Sequence, residues 1–438
     1  MANDGYRPIL MEGATATLLR DGRRETLGEY RSKGGYSGLE RVLKAMQPDS
    51  VIRLIKDAVV RGRGGAGFPA GLKWDFIPKE RSKPHYVCCN ADESEPGTFS
   101  NRAILEQRPH LLLEGVLIAC YATLAETGII YIRGEYFDAI DQMNAALAEA
   151  RAAKLIGRNI LGSGFNCEIF AHGGAGAYIC GEETALLESV EGRRGYPRLR
   201  PPFPAIAGLY DCPTVINNVE TLALCALIAQ KGVVWFRSFG TGKSPGMTTY
   251  CLCGHVKQPG NYEAPLGITL HELIFEKAGG IRNDNKFKAV FPGGSSVPMM
   301  FEEALDCPMD FEGPRQYGTF LGSTGTIVMD ETVCMVWASL NLMRFYRDES
   351  CGQCTPCREG TGWMCKILKR IEAGGGEERD LDILLDICHN IIGRSICALG
   401  EFATATVVSS VKRFRDEYMA HIQQRRCPFQ ERMDFRKF

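Results

Sequence analysis

The chain has 438 residues, 45% of them apolar and 24% charged, with a formal net charge of −1. That length exceeds one typical core and calls for about two to four domains, and no run of about 18 apolar residues is present to span a bilayer as a helix. A pI near 6.7 leaves no large basic face, which sets nucleic acid aside as the main partner.

Met1 to Leu10 lacks a basic segment followed by an apolar core, so no secretory signal or transit peptide is visible and a reducing interior is expected. Residues 1–240 alternate helical periodicity with β-rich runs such as Tyr86 to Cys89 and Ile129 to Arg133, which predicts an α/β domain. Asp49 to Val60 reads as a helix started near Pro48. The loop after it, Gly62-Arg63-Gly64-Gly65-Ala66-Gly67, matches G-x-G-x-x-G. That fingerprint needs a strand in front of it rather than a helix, so a standard Rossmann unit is disfavoured here. Its glycines still offer backbone N–H groups to a phosphate, with Arg63 and Lys73 as nearby positive charge; the alternative is a plain surface turn.

Asn90 to Gly97 follows a predicted strand, at the place where open α/β sheets bind ligands. Carboxylates there, Asp92, Glu93 and Glu95, can accept hydrogen bonds from ribose or ribityl hydroxyls, or form an ordinary acidic turn. A second glycine loop, Gly173 to Tyr178, leads into a helix beginning around Cys180 to Thr184. Its small residues admit a flat ring, on which Tyr178 can stack.

Residues 241–330 change texture: a strand over Met247 to Val256, a turn at Gln258 to Asn261 and a helix over Ile268 to Lys277 predict a small α+β module. Residues 331–438 read as a helical bundle, with helices over Val333 to Tyr346, Trp363 to Ile371, Leu381 to Ile392 and Phe402 to Gln424.

Most of the eighteen cysteines stand singly in apolar runs, as Cys120, Cys225 and Cys334 do, and read as small buried hydrophobes. Cys351, Cys354 and Cys357 break that pattern as C-x2-C-x2-C in a loop between two helices. Three thiolates so spaced can grip three corners of an iron–sulfur cubane. Zinc is the alternative, but zinc modules use two separated pairs and no second C-x-x-C follows. For a fourth ligand, Cys365 and Cys388 lie in helical patterns and read as core. Cys397, after the helix stop at Gly393-Arg394-Ser395, is favoured, and spacing alone leaves Cys427 in the basic tail open.

RGRGGAGFPAGLKW from Arg61, NADESEPGT from Asn90, GAGAYICGEETAL from Gly174, PPFPA from Pro201, INNVETL from Ile216, PGGSS from Pro292 and ESCGQCTPCREG from Glu349 share one order along the chain. Taken together they resemble the family of NADH-binding, FMN-containing F subunits of respiratory complex I, over nearly the whole chain. The resemblance implies a Rossmann-like FMN and NADH domain, a ubiquitin-like β-grasp module of SLBB type, and a C-terminal helical bundle carrying a [4Fe–4S] cluster. It implies that Gly64, Lys73, Asn90, Asp92, Gly181, Glu182, Asn217 and Asn218 line FMN. Gly65, Phe68, Phe76, Glu95, Tyr178, Glu183 and Phe203 would meet NADH, with Gly67 in the same glycine loop and Glu93 shaping the local field. Cys351, Cys354, Cys357 and Cys397 match the family's cluster ligands.

The implied reaction passes hydride from NADH to FMN and electrons singly to the cluster and on towards quinone, with no side chain assigned as catalytic. Implied partners are a smaller [2Fe–2S] subunit and a larger iron–sulfur subunit, with the chain peripheral on the cytoplasmic face of a bacterial membrane or the matrix face of an organelle. The rivals are a diaphorase subunit of an NAD-linked hydrogenase or formate dehydrogenase, disfavoured because no extra C-x-x-C groups flank the chain, and a non-catalytic zinc scaffold. Gly174 and Arg200 depart from the family pattern, which often has arginine and lysine there, and both departures concern charge near the nucleotide.

Overall fold

A computed structural model describes residues 6–11 and 24–429, so the Met1 to Leu10 stretch read for targeting lies partly outside the described residues. The first sheet contains β1 (Tyr86–Ala91), β2 (Thr127–Ile132), β3 (Glu168–Gly173) and β4 (Thr214–Asn218), all parallel, in the order β3-β2-β1-β4. Val87, Cys88, Cys89 and Ala91 of the inner strand β1 have no solvent exposure, as a parallel strand covered on both faces requires. Alternation across the pleat sends Cys88 and Cys89 to opposite faces, into two different apolar cores. Burial pushes the Cys88 thiol up to about 12 and Cys89 higher still, so this adjacent pair is protonated filling for both faces.

On the Cys89 face lie two almost wholly buried helices, Pro109–Ala122 and Val219–Lys231. They touch backbone to backbone at Gly115, where an added Cβ would stand 2.0 Å from the Leu222 carbonyl oxygen. On the Cys88 face, Tyr131 and Ile216 share a core with Met364, Leu368 and other residues of the C-terminal helices. The bundle and the first sheet are therefore packed as one body of side chains.

The second sheet has the order β6-β5-β8-β7, from β5 (Met247–Gly254), β6 (Gly260–Pro265), β7 (Phe287–Phe291) and β8 (Gly325–Asp330). β5 and β8 are parallel, and the outer pairs are antiparallel. The helix expected over Ile268 to Lys277 is a short π-helical stretch, Glu272–Lys277. Thr269 and Glu272 cap its start reciprocally, and Gly279 and Gly280, with φ of +73° and +92°, stop it.

The bundle consists of Met335–Glu349, Thr355–Glu372, Arg379–Ile391, Leu399–Arg413 and Arg415–Gln424. The sequence pattern predicts a single last helix from Phe402 to Gln424; the structure breaks it at Phe414. The Phe414 ring is held against Phe301, with centroids 5.7 Å apart, and under the Lys288 ammonium at 5.2 Å. Among the described residues no helix is long and apolar enough to cross a membrane.

The Gly115 contact makes a prediction. Alanine at 115 gains about 1 kcal/mol of helix propensity but must push two buried helices apart, at about 1–3 kcal/mol. Gly115→Ala is therefore expected to lower the thermal midpoint, whereas Gly28→Ala, on a helix with nothing within 4 Å of the new Cβ, should not. Equal midpoints for both variants would show that the two helices separate freely.

Candidate active site

Strand order reverses between β1 and β4, whose carboxyl ends lie side by side with Asn90 opposite Asn218. A crevice at such a point is where open α/β sheets take ligands. Asn90 Nδ2 donates to the Gly181 carbonyl at 2.8 Å and draws the turn after β3 against β1. Trp74 Nε1 donates to Asn217 Oδ1 at 2.7 Å and Lys73 Nζ to the Ile216 carbonyl at 2.8 Å, fixing the Ala70–Asp75 helix to β4. Asn218 caps the Val219–Lys231 helix, accepting from Glu220 N at 2.9 Å.

The glycine loop has two kinds of glycine. A Cβ on Gly64 would reach Asn218 Cβ at 3.4 Å, and one on Gly65 would meet nothing nearer than 3.9 Å, so these two offer backbone to open space. Gly67, at φ +65°, faces the Phe311 ring at 2.6 Å and is required by packing. Arg63, expected as charge beside the loop, turns inward: it donates to the Arg61 and Met247 carbonyls at 2.9 and 3.0 Å and pairs with Glu220. Its charge holds the second sheet to the first, and of the two expected cations Lys73 is the one at the β4 end. The loop sits between two helices, Pro48–Asp57 and Ala70–Asp75, as its sequence context required.

Asp92 follows β1 and is buried, and its Oδ2 has no hydrogen-bond partner. Burial pushes the carboxyl up to about 7, against the opposing pull of Arg133 and Ser94. A Cβ on Gly181 would come 3.6 Å from that bare oxygen. An acceptor lacking a donor, beside a glycine-lined gap, fits a ligand bearing hydroxyls. Glu93 faces the other way: it accepts from Asn101 N at 2.8 Å and Arg102 N at 2.9 Å, capping the Ser100–Gln107 helix, and from Tyr136 at 3.2 Å.

Glu95 accepts from Tyr178 Oη at 2.7 Å, Ser296 N at 2.8 Å and Ser295 Oγ at 3.1 Å. Glu182 caps the Glu183–Val190 helix, accepting from Thr184 N and Ala185 N, each at 2.9 Å. Burial works to raise the Glu183 carboxyl, but Lys73 at 2.7 Å and Arg200 at 2.8 Å outweigh it and hold it below the usual range. Phe68, Phe76 and Phe203 are 46%, 57% and 57% exposed, with the first two rings 6.1 Å apart. At Gly174 an added Cβ would stand 2.7 Å from Tyr131 Oη, so this loop accommodates no side chain without moving the phenol.

Cys354 is the residue before the Thr355–Glu372 helix and Cys357 lies in its first turn. Gly393, at φ +71°, ends the Arg379–Ile391 helix and turns the chain so that Ile396 N donates to Cys354 Sγ at 3.3 Å. Cys397 thereby comes within electrostatic reach of Cys351 and Cys357, and of Tyr178 and Glu182 beside the crevice. Cys365 and Cys388 are instead in the core, against Arg347 and Met364 at 3.4 Å each, and Cys427 lies 3.8 Å from Cys334. Three thiols on one loop with a fourth on the returning chain form an all-sulfur donor set, which suits the four corners of a cubane.

Residues 55–226 match the Nuo51 FMN-binding domain, 248–313 the SLBB domain, and 337–421 the NADH-ubiquinone oxidoreductase-F iron-sulfur binding region. The NADH-quinone oxidoreductase F 2 subunit of Rhizobium meliloti is 51% identical over 424 residues, 97% of this chain and 100% of its own length. The F subunit of Mycobacterium bovis is 54% identical over 413 residues, 93% of each chain. The chain belongs to the family of NADH-quinone oxidoreductase F subunits. An air-oxidised NAD+-reducing [NiFe]-hydrogenase shares the fold at a TM-score of 0.81 and 34% identity, over 92% of this chain and 68% of that one. As a member of that family, the chain is an NADH-oxidising flavoprotein with an FMN-binding domain over the crevice and a 4Fe–4S binding region that includes Cys351, Cys354, Cys357 and Cys397.

Sequence reasoning singled out neither Tyr346, which reaches Ser295 Oγ at 2.7 Å, nor Glu349, which accepts from Tyr178 N at 3.0 Å. Both lie at the end of an ordinary amphipathic helix; Glu349 opens the ESCGQCTPCREG run, but nothing local marks its contact or that of Tyr346. Trp74 did carry one, since a buried indole N–H needs an acceptor.

Asp92 generates a pH prediction. Its folded value lies above the ordinary aspartate value, so its contribution to the stability of flavin-free protein is complete in acid and is lost as pH rises through about 7. The slope approaches about 1.4 kcal/mol per pH unit between the two values. Asp92→Asn removes this component, so the variant should gain on the wild type between about pH 4 and about pH 7 in thermal unfolding. Parallel pH profiles would show that Asp92 is ionised in the folded protein.

Proposed function

We propose that FMN occupies the crevice over β1 and β4, that NADH enters past the exposed phenylalanines, and that Cys351, Cys354, Cys357 and Cys397 hold the cluster. When bound, FMN accepts hydride from NADH and the cluster accepts electrons one at a time. The observation that carries the reading is the partnerless Asp92 Oδ2 beside Gly181, with the four cysteines just behind the same turn. Gly64, Asn90, Gly181, Glu182, Asn217 and Asn218 shape the pocket around it. Lys73 brings positive charge to the β4 end, and Glu183 keeps it oriented there. Phe68, Phe76 and Phe203 offer uncovered ring faces to the nucleotide, next to Gly65 and Gly67 of the loop. Both Glu95 oxygens already accept from protein donors, so Glu95 and Tyr178 act on NADH by fixing the wall it meets.

The functional division is 1–240 for FMN and NADH, 241–330 for the SLBB-type module and 331–438 for the cluster. Exposed Trp363, Ile392 and Ile396 around the cysteine end support docking of further iron–sulfur subunits, a smaller [2Fe–2S] and a larger one, with the assembly on the inner face of an energy-transducing membrane. The hydrogenase likeness favours a second reading, delivery of electrons to a hydrogenase. The full-length match to the quinone-linked relatives against 68% coverage of the hydrogenase chain weighs for the quinone pathway.

The deciding experiment is the visible spectrum of anaerobically purified protein, taken with its smaller partner, before and after NADH. Flavin bleaching with about four irons per cluster-bearing chain is expected; zinc without flavin or response would leave only a scaffold. Cys397→Ser should lower iron while NADH still bleaches flavin, and Cys365→Ser should not. Equal iron in both variants would move the fourth ligand elsewhere. Phe68→Ala should raise the KM for NADH, with an artificial acceptor, by the roughly 1–3 kcal/mol that aromatic stacking on a base contributes, leaving kcat nearly constant.

A further inference from the structure

The helix that begins among the cluster cysteines ends, 18 residues later, at a second set of ligating side chains. Cys334 precedes Met335–Glu349, Glu372 closes Thr355–Glu372, His421 lies in the last turn of Arg415–Gln424, and Cys427 follows in the tail. Cys334 Sγ is 3.3 Å from His421 Nε2, 3.7 Å from Glu372 Oε2 and 3.8 Å from Cys427 Sγ, and His421 Nε2 is 3.4 Å from Glu372 Oε2. All four ligand atoms fall within 4.8 Å of one another. Cys334 and His421 have no solvent exposure and Cys427 has 2%.

These edges are those of a coordination tetrahedron. Bonds of about 2.3 Å to sulfur and about 2.0 Å to nitrogen or oxygen put two sulfurs about 3.8 Å apart, sulfur and nitrogen about 3.5 Å, and nitrogen and oxygen about 3.3 Å. His421 Nδ1 lies 2.6 Å from the Glu417 carbonyl, which can only accept, so Nδ1 carries the proton and Nε2 turns a bare lone pair toward the group. That outer hydrogen bond is the one metal-bound histidines use. Trp337 N donates to Cys334 Sγ at 3.3 Å, the support a thiolate at a helix start receives.

We infer that Cys334, Glu372, His421 and Cys427 bind one zinc ion, in a structural site separate from the iron–sulfur cluster. Two thiolates, an imidazole and a carboxylate form a closed tetrahedral set of borderline softness, which suits zinc and leaves no position for substrate. Binding releases the two thiol protons to solvent and involves no change of oxidation state. A disulfide would instead draw the two sulfurs from 3.8 Å to about 2.05 Å and leave Glu372 and His421 without a shared partner. The ion ties the tail to the ends of three helices. The tail is also seated closely: a Cβ on Gly374 would meet the Arg425 carbonyl carbon at 2.1 Å.

The test uses the anaerobically purified protein with its smaller partner, equilibrated with zinc and desalted. Metal analysis should give about one zinc per chain beside the cluster iron, and zinc-edge X-ray absorption should show about two sulfurs near 2.3 Å and two lighter ligands near 2.0 Å. His421→Ala and Cys427→Ser should each lose the zinc, keep iron and flavin, and unfold at lower temperature. Background zinc in the wild type, zinc retained in both variants, an all-sulfur shell that grows as iron falls, or a Cys334–Cys427 disulfide by mass spectrometry would each overturn the assignment.

Discussion

The Glu95 carboxylate is the point at which the three domains of the chain are held in register. It leaves the loop after β1, accepts from Tyr178 on the loop after β3, and accepts from Ser295 and Ser296 of the second-sheet module. Through Ser295 it reaches Tyr346 of the bundle. The approach is close enough that a Cβ on Gly294 would fall 2.4 Å from Glu95 Cγ. A buried carboxylate is tolerated only while its lone pairs are satisfied, and donors stranded by its loss cost about 1–3 kcal/mol each. The wall between the crevice and the cysteines is thus set by one side chain on which all three domains converge.

Around that point burial dominates the electrostatics. It raises Asp92 and Glu220 to about 7 each, and lifts Glu93 and Glu95 above their ordinary values. Glu183 alone among the crevice glutamates is driven the other way, because Lys73 and Arg200 flank it. Burial disfavours the charged form of these carboxyls while leaving their oxygens as acceptors for hydroxyls. Glu183 is matched by its own cations, so it adds local structure without adding net negative charge.

Features written in contiguous residues were legible in the sequence. The strand at Tyr86, the strand at Met247, the two glycine loops and the C-x2-C-x2-C run each sit within a dozen residues, and each carries its own periodicity or spacing. What was illegible depends on direction or on distance along the chain. Arg63 adjoins the phosphate-type loop in sequence, yet its guanidinium points into the interface with β5. Glu93 looks like its neighbours Asp92 and Glu95, but the pleat and the following turn aim it at a helix start. Cys334 and Cys427 read as a core residue and a tail residue, and only the folded bundle brings them to 3.8 Å.

The Thr355–Glu372 helix links these observations. Its 18 residues make a strut of about 27 Å, with Cys357 in its first turn and Glu372 at its last residue. On the proposed reading electrons pass from the crevice to a cluster at a fixed separation, and a helix anchored only at its cysteine end could pivot about it. Three constraints oppose that: the apolar core shared with Tyr131 and Ile216 along its length, the tail pressed against Gly374, and the ion-binding group at Glu372. With flavin and cluster placed as proposed, their separation is a property of the whole bundle, and substitutions near Cys427 act on it through the far end of this strut.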